Sequence, residues 1–327
     1  MKNKKENNFK VVITRKIPDA GINLLQKAGF QLKINPYDRI LTKEELKKFV
    51  KGADAILSLL TDKIDGEILD AAGPQLKIVA NYAVGYDNFN INDFKTRKIY
   101  ATNTPGVLTE TVAEHTIGLI FAIAQKIVEA DEFVRQNKFR GWEPMLFLGT
   151  DMRNKTLGIV GLGRIGGEVA KRMRDGFGLK IIYFDAIRNK NLEKELGIKY
   201  VSFESLLKQS DFISIHVPLT PQTKHLFTLK EFKKMKPTSY IINTSRGAVI
   251  KESDLANALK KKIIAGAALD VYEFEPQINP ELIKLSNTVL LPHIASASIE
   301  TRSKMAEMAA KNIINVLNNK KPLNPIF

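Results

Sequence analysis

The run LGIVGLGRIG at residues 157–166 constrains this chain more than any other stretch, because of what stands on either side of it. An apolar, strand-like segment ends in Gly161-Leu162-Gly163-Arg164-Ile165-Gly166. A helix-patterned segment follows, then a second strand-like stretch at 181–184, closed by Asp185, 19 positions after the last glycine. A bare G-x-G-x-x-G carries little weight in a chain with 20 glycines among 327 residues. Strand, helix and downstream acid in one unit are far more specific, and they point to a bound dinucleotide. Gly161 permits the tight turn, Gly163 clears a side chain from the approach to a pyrophosphate, and Gly166 lets helix and strand pack closely. The helix opening near Arg164 offers unpaired N–H groups and the positive end of its dipole to the phosphates. Ile165, Val169 and Met173 recur four apart and are expected to form its buried stripe. Asp185 can accept from both ribose hydroxyls and repel a 2′-phosphate, which predicts NAD rather than NADP. Arg188, three residues on, is the one feature that could accommodate such a phosphate.

Length predicts two domains, each large enough for its own core. Hydrophobic residues make up 44% of the chain and charged residues 26%, as in globular proteins. No apolar run approaches the roughly 20 residues a membrane span needs. The apolar part of residues 9–14 is too short for a signal-peptide core. With no cysteine there is no disulfide framework, thiolate metal site or cysteine nucleophile, and neither a metal nor a membrane is expected. A cytoplasmic location is the default. The net charge of +15 invites a nucleic-acid partner, but the lysines are scattered, with short clusters at 2–5, 233–236 and 260–262. None is interleaved with aromatics as a stacking platform would be, so nucleic acid is not expected as a partner.

Residues 11–14, 55–59, 77–80 and 99–101 read as strands, separated by helix patterns at 21–28 and from 42 onward. Thr42 and Glu45 have the spacing of a capping box. A long, unbroken helix is expected over 107–130, buried on more than one side through residues such as Val112, Ile117, Ile120 and Phe121. Residues 133–150 read as loop and hold the only tryptophan, Trp142. A second βα series begins at 156 and includes strands at 212–216, 240–242, 265–269 and 289–291. A final helix covers 299–317 and is expected to return to the first domain. The expected fold is therefore α/β: two doubly wound, Rossmann-like parallel-sheet domains with a cleft between them. Residues 1–106 plus 299–327 would form the substrate domain. Residues 107–298 would form the inserted NAD-binding domain, with 107–130 as the inter-domain helix.

Four histidines narrow the search for chemistry. Ligands of open α/β sheets bind beyond the carboxyl ends of strands, which favours His216 and His293. His115 and His225 read as satisfied structural histidines. Arg246, at the end of the apolar run 241–242 and beside Gly247, can grip a carboxylate bidentately. The segment LDVYEFEP at 269–276 carries three acids at another strand end, one of which could orient a histidine and raise its pKa.

Three blocks carry a family likeness: residues 157–185, 210–226 (SDFISIHVPLTPQTKHL) and 235–249 (MKPTSYIINTSRGAV). Through them the chain resembles the D-isomer-specific 2-hydroxyacid dehydrogenases along nearly its whole length. The order Arg246, Glu275, His293 reproduces that family's catalytic triad in type and spacing. The motif NYAVGYDN at 81–88, with GWEP at 141–144 and LGTD at 148–151, looks most like its glyoxylate and hydroxypyruvate reductase branch. The resemblance implies a small 2-oxo acid as substrate, reduced by hydride transfer to glycolate or D-glycerate. It assigns the substrate carboxylate and carbonyl to Arg246, acid–base work to His293, orientation of that histidine to Glu275, and carboxylate binding to the backbone N–H groups of Val84 and Gly85. It places cofactor contacts at Thr109, Gly161, Gly163, Arg164, Ile165, Gly166, Asp185, Val217, Pro218, Thr223, Thr244, Ser245, Arg246, Asp270, His293 and Ala295. It also implies a homodimer through 107–150, with Trp142 reaching the partner's active site. Formate dehydrogenases carry glutamine where Glu275 stands, and phosphonate dehydrogenases carry lysine where Val84 stands. The alternatives are a dehydrogenase for a larger substrate, such as 3-phosphoglycerate or 2-ketogluconate, and an NAD-sensing corepressor-like scaffold.

Overall fold

A computed structural model describes residues 8–327; the lysine cluster at 2–5 lies outside the described residues. The chain divides into two compact units, one reaching to Leu108 and resumed at Ala297–Phe327, the other spanning Thr109–Ser296. The first unit is built on five strands: β1 (Lys10–Ile13), β2 (Gln31–Ile34), β3 (Ala55–Ser58), β4 (Ile78–Asn81) and β5 (Tyr100–Thr102). They form one parallel sheet in the order β2-β1-β3-β4-β5. Strands buried on both faces need helices on both faces, and β3 and β4 are buried at all four positions. The capping box at Thr42 and Glu45 is present and opens the helix Lys43–Val50.

The helix Ile299–Leu317 packs against the helix Asp19–Lys27 in this unit. Their closeness depends on Gly21, where an added Cβ would lie 2.6 Å from the Ala306 carbonyl oxygen.

The second unit holds seven strands: β6 (Thr156–Val160), β7 (Lys180–Phe184), β8 (Lys199–Tyr200), β9 (Phe212–Ile215), β10 (Tyr240–Asn243), β11 (Gly266–Leu269) and β12 (Thr288–Leu290). They too are all parallel, in the order β12-β11-β10-β9-β6-β7-β8. Side chains alternate between two cores, one on each face. Leu157, Ile159, Phe212 and Ile242 enter one, while Val160, Ile213, Ile215 and Ile241 enter the other. The sheet order reverses at β6, whose neighbours β9 and β7 lie on opposite sides. Such a switch point is where parallel α/β sheets bind ligands.

Two expectations need correction. The single helix over 107–130 is in fact two, Thr109–Ala124 and Ile127–Arg135, broken where Lys126 takes a φ of 54°. The cause is a returning segment. Thr150 N–H donates to the Ala124 carbonyl at 2.9 Å, and the Gln125 side chain donates to the Thr150 carbonyl at 3.0 Å. No glycine or proline marks the break, because it is imposed from outside the helix. In the helix Arg164–Phe177, Val169 and Met173 are fully buried but Ile165, in the first turn, is only partly so. The tight face is completed by Gly166, Gly167 and Ala170. Among the described residues no helix is long and apolar enough to cross a membrane.

Gly21 and Gly176 predict opposite outcomes for one substitution. Both sit in helices, where alanine is favoured over glycine by about 0.5–1 kcal/mol. At Gly176 nothing lies within 4 Å of the added carbon, so Gly176→Ala should stabilise by about that amount. At Gly21 the struck atoms are the backbone carbonyl and the Cβ of Ala306, which cannot swing aside, and overpacking of about 1–3 kcal/mol wins. Denaturant unfolding of the two variants checks the contrast.

Candidate active site

Within the second unit, the sequence-predicted residues gather at the carboxyl edge of one sheet. The glycine turn follows β6, Asp185 follows β7, His216 follows β9, Arg246 follows β10, Asp270 and Glu275 follow β11, and His293 follows β12. Because β10, β11 and β12 are adjacent, Arg246, Glu275 and His293 come from neighbouring strand ends.

The glycine turn has the shape the residues imply. Gly161 holds φ 97°, and a Cβ there would strike His216 and Val217, where the ends of β6 and β9 abut. A Cβ on Gly166 would run into the Gly161 carbonyl. Gly163, by contrast, has nothing within 4 Å of its missing Cβ. It caps the helix Arg164–Phe177 without any side-chain hydrogen bond, so the amide end of that helix is left for an anion. Asp185 accepts from Leu162 N–H at 2.7 Å and from Ile187 N–H at 3.3 Å, tying the turn to the end of β7. Arg188 is engaged elsewhere. It forms a two-point pair with Glu193 at 2.6 and 2.7 Å and lies 5.6 Å over the Tyr200 ring. That pairing, with the Tyr183 hydroxyl, pulls the Glu193 carboxyl down to about 2.

His293 and Glu275 meet directly. His293 Nδ1 lies 2.9 Å from Glu275 Oε2, while Glu275 Oε1 accepts from Tyr272 N–H at 3.0 Å. An ionised carboxylate only accepts, so the pair places a proton on Nδ1 and leaves Nε2 for other partners. His293 sits in the left-handed region at φ 57°, a conformation that costs a non-glycine residue roughly 1–2 kcal/mol. Asp270 holds it there. Its fully buried carboxylate accepts from Ile294 N–H at 2.8 Å and Ala295 N–H at 2.7 Å, the two amides just beyond His293. The Tyr272 hydroxyl adds a bond to the Leu291 carbonyl at 2.9 Å; burial and neighbouring carboxylates push this phenol up, so it stays a donor.

Arg246 is aimed by a residue the sequence reading passed over. The buried Asn243 side chain donates to the Arg246 carbonyl at 3.0 Å and accepts from Ser245 N–H and hydroxyl at 3.0 and 2.8 Å. Arg246 Nη1 donates to the Ser245 carbonyl at 2.9 Å. Thr244 shares a 2.8 Å hydroxyl contact with Thr116. Thr223 closes its own turn on the Pro218 carbonyl at 2.6 Å. Thr109 opens the helix Thr109–Ala124. In the first unit, Val84 and Gly85 lie in the turn after β4, whose carbonyls are held by Asn103 at 2.7 Å and Asn81 at 2.9 Å.

Two histidines do not behave as the sequence suggested. His216, favoured by its strand-end position, packs Nε2 on the Ser214 hydroxyl at 2.8 Å, and desolvation pushes its pKa down to about 3. It is a neutral structural imidazole. His115 is not a satisfied one: its Nε2 is buried without a hydrogen-bond partner, 3.6 Å from Asp270 Oδ1. His225 is satisfied, with Nε2 2.5 Å from Glu273 Oε1. Among the described residues no group of three or more His, Asp or Glu is placed to hold a metal ion.

Gly247 shows how closely the strand ends are fitted. A Cβ there would lie 1.9 Å from the Tyr272 carbonyl carbon, so the chain after Arg246 rests on the backbone of the segment that carries Glu275. Gly247→Ala must push these two loops apart and should lower turnover by about 10²-fold, the scale of a misplacement near 1 Å. Steady-state kinetics of the folded variant checks this; wild-type turnover would contradict it.

Comparison with known proteins agrees with this geometry. The model of the D-isomer specific 2-hydroxyacid dehydrogenase NAD binding domain matches residues 117–295. A glyoxylate reductase of Thermococcus litoralis is 50% identical over 319 residues, which cover 96% of this chain and 96% of that protein. One of Korarchaeum cryptofilum is 49% identical over 318 residues, covering 96% and 95%. Among solved structures, an NADPH-dependent glyoxylate/hydroxypyruvate reductase of Sinorhizobium meliloti, in complex with NADP and malonate, aligns with TM-score 0.84 at 29% identity, covering 98% of this chain and 97% of that one. With the strand-end triad and the open glycine turn, these likenesses show that the chain belongs to the D-isomer specific 2-hydroxyacid dehydrogenase family.

Proposed function

We propose that this chain reduces glyoxylate or hydroxypyruvate to the corresponding 2-hydroxy acid, with NADH preferred to NADPH. The observation that carries the reading is the His293–Glu275 pair at 2.9 Å, formed beyond the ends of β12 and β11, with Arg246 just past the end of the neighbouring β10. The residues fit a dinucleotide: Gly163 has room where a Cβ would stand, and the following helix presents uncapped amides. Gly161, Gly163, Arg164, Ile165 and Gly166 would hold its pyrophosphate and Asp185 its ribose. When bound, the reduced dinucleotide would supply a hydride to the carbonyl carbon.

The chain supplies the rest. Protonated His293 gives its Nε2 proton to the carbonyl oxygen, and the reverse direction takes it back. Glu275, 2.9 Å from Nδ1, fixes the orientation of the ring and the tautomer that directs Nε2 toward the substrate. Arg246 pairs with the substrate carboxylate and stabilises negative charge developing on the carbonyl oxygen. The preference for NADH is supported by the Asp185 carboxylate, which retains acceptor capacity after its two backbone bonds. It is also supported by the commitment of Arg188 to Glu193.

A homodimer is part of the same proposal. The helix Ile127–Arg135 buries none of its residues, and Ile127, Val134, Phe139, Trp142 and Met145 are exposed around it. Such an apolar patch marks an interaction surface.

Oxidation of NADH, and separately of NADPH, measured against a panel of 2-oxo acids tests the function. Glyoxylate and hydroxypyruvate should be the best substrates, with NADH ahead. A clear preference for a phosphorylated or sugar-derived 2-oxo acid would overturn the substrate, and no turnover with any member would favour a binding scaffold. His293→Ala should lose about 10²–10⁴ in turnover while still quenching its bound-NADH fluorescence signal like wild type. Light scattering should give twice the chain mass, falling to one chain in an Ile127→Glu/Val134→Glu variant. A single-chain mass for the wild type would refute the dimer.

A further inference from the structure

We infer that His225 and Glu273 are positioning residues for the catalytic carboxylate Glu275, an inference that rests on the role of Glu275 proposed above. The segment carrying Glu275 has little apolar anchorage: residues 274–277 are all exposed, and Phe274 is 67% exposed. Its shape therefore depends on polar ties. Those ties converge on two nearly buried carboxylates. Glu273 Oε2 accepts from Glu252 N–H at 3.0 Å, and Glu252 Oε2 accepts in return from Glu273 N–H at 2.9 Å. The other oxygen of Glu252 accepts from Asn279 N–H. Both flanks of Glu275, at 273 and at 279, are thus fastened to one point, the first residue of the helix Glu252–Lys260.

Two carboxylates this close need compensation. The start of the helix supplies part of it through its dipole. His225 supplies the rest, with Nε2 2.5 Å from Glu273 Oε1. Its own backbone is fixed, at φ 53°, by a 2.8 Å bond from His225 N–H to the Ala248 carbonyl, two residues past Arg246. His225 therefore links the segment that carries Arg246, through its backbone N–H, to the segment that carries Glu275, through its imidazole. Removing it leaves Glu273 Oε1, on a nearly buried carboxylate, without its imidazole partner and loosens the flank from which Glu275 reaches His293.

A double-mutant cycle tests this. His225→Ala should lower kcat about tenfold, with KM for glyoxylate and the dissociation constant of NADH changed less than about twofold. His225→Gln, whose amide can still donate to Glu273, should recover most of the loss. In a Glu275→Gln background, His225→Ala should change kcat less than about twofold, because the group it positions is already disabled. An equal loss in both backgrounds, or a His225→Ala enzyme with wild-type kcat, would overturn the inference. Should His225→Ala not fold, Glu273→Gln carries the same cycle: its amide oxygen can keep the bond from Glu252 N–H, while its amide nitrogen replaces the acceptor that faces His225. If Glu275→Gln by itself leaves turnover at the wild-type level, Glu275 is not in the catalytic machinery. The proposed reading and this inference then fall together, an outcome distinct from failure of the cycle alone.

Discussion

The buried carboxylate of Asp270 is the constraint on which the catalytic edge of the second unit depends. A charge with no solvent contact is tolerated only when its lone pairs are filled, and breaking one of its bonds costs more than an exposed bond would. The backbone beyond β12 meets that demand by curling back, so that two consecutive amides reach Asp270. The curl forces His293 into the left-handed region, and there its ring reaches Glu275. Local strain at His293 is thus secured by an electrostatic requirement one strand away. Removal of that requirement would leave nothing to hold an unfavourable φ.

The segment after β11 repeats one pairing three times, with different results. Asp270 stands 3.6 Å from His115, Glu273 2.5 Å from His225 and Glu275 2.9 Å from His293. Chemistry of the side chains does not separate these pairs; placement does. Glu275 is partly exposed at the sheet edge, where its histidine keeps one ring nitrogen available, whereas Glu273 and Asp270 are turned inward and satisfy backbone amides. The fourth histidine, His216, has no acid beside Nε2, only the Ser214 hydroxyl, and burial keeps it neutral. Four histidines of one chain therefore stand in four different settings, and only His293 pairs with a carboxylate that is itself partly exposed at the sheet edge.

Much of this was legible before any coordinates. The glycine turn, Asp185 and the strand ends follow from residue types at fixed spacing, because each type answers a local physical need, whereas the order Arg246, Glu275, His293 was legible only through the family resemblance. The terminal helix Ile299–Leu317 matched its apolar periodicity end to end. The break at Lys126 was not legible, since the atoms that cause it belong to Gly149 and Thr150. Strand-end position ranked His216 beside His293, because the rule knows the edge of a sheet and not the burial of a particular ring. The holding roles of Asn243, Glu252 and Glu273 escaped notice for a related reason, although Glu273 was counted among the three acids after β11. Their work is to hold backbone amides of distant segments, and backbone amides leave no signature in the sequence.

By itself, then, the sequence determined the class of fold and the glycine turn of a dinucleotide site, and it offered the acid, base and guanidinium side chains from which the reacting set is proposed. These rest on hydrophobic period, on the absence of a Cβ and on intrinsic acid–base character, all local properties. Only the tertiary structure decided which carboxylate faces which imidazole, why His293 accepts a costly φ, and that Gly247 must rest on the backbone of Tyr272. Those outcomes depend on burial and on distances between residues far apart in the chain, and both exist only once the sheet has brought its strand ends together.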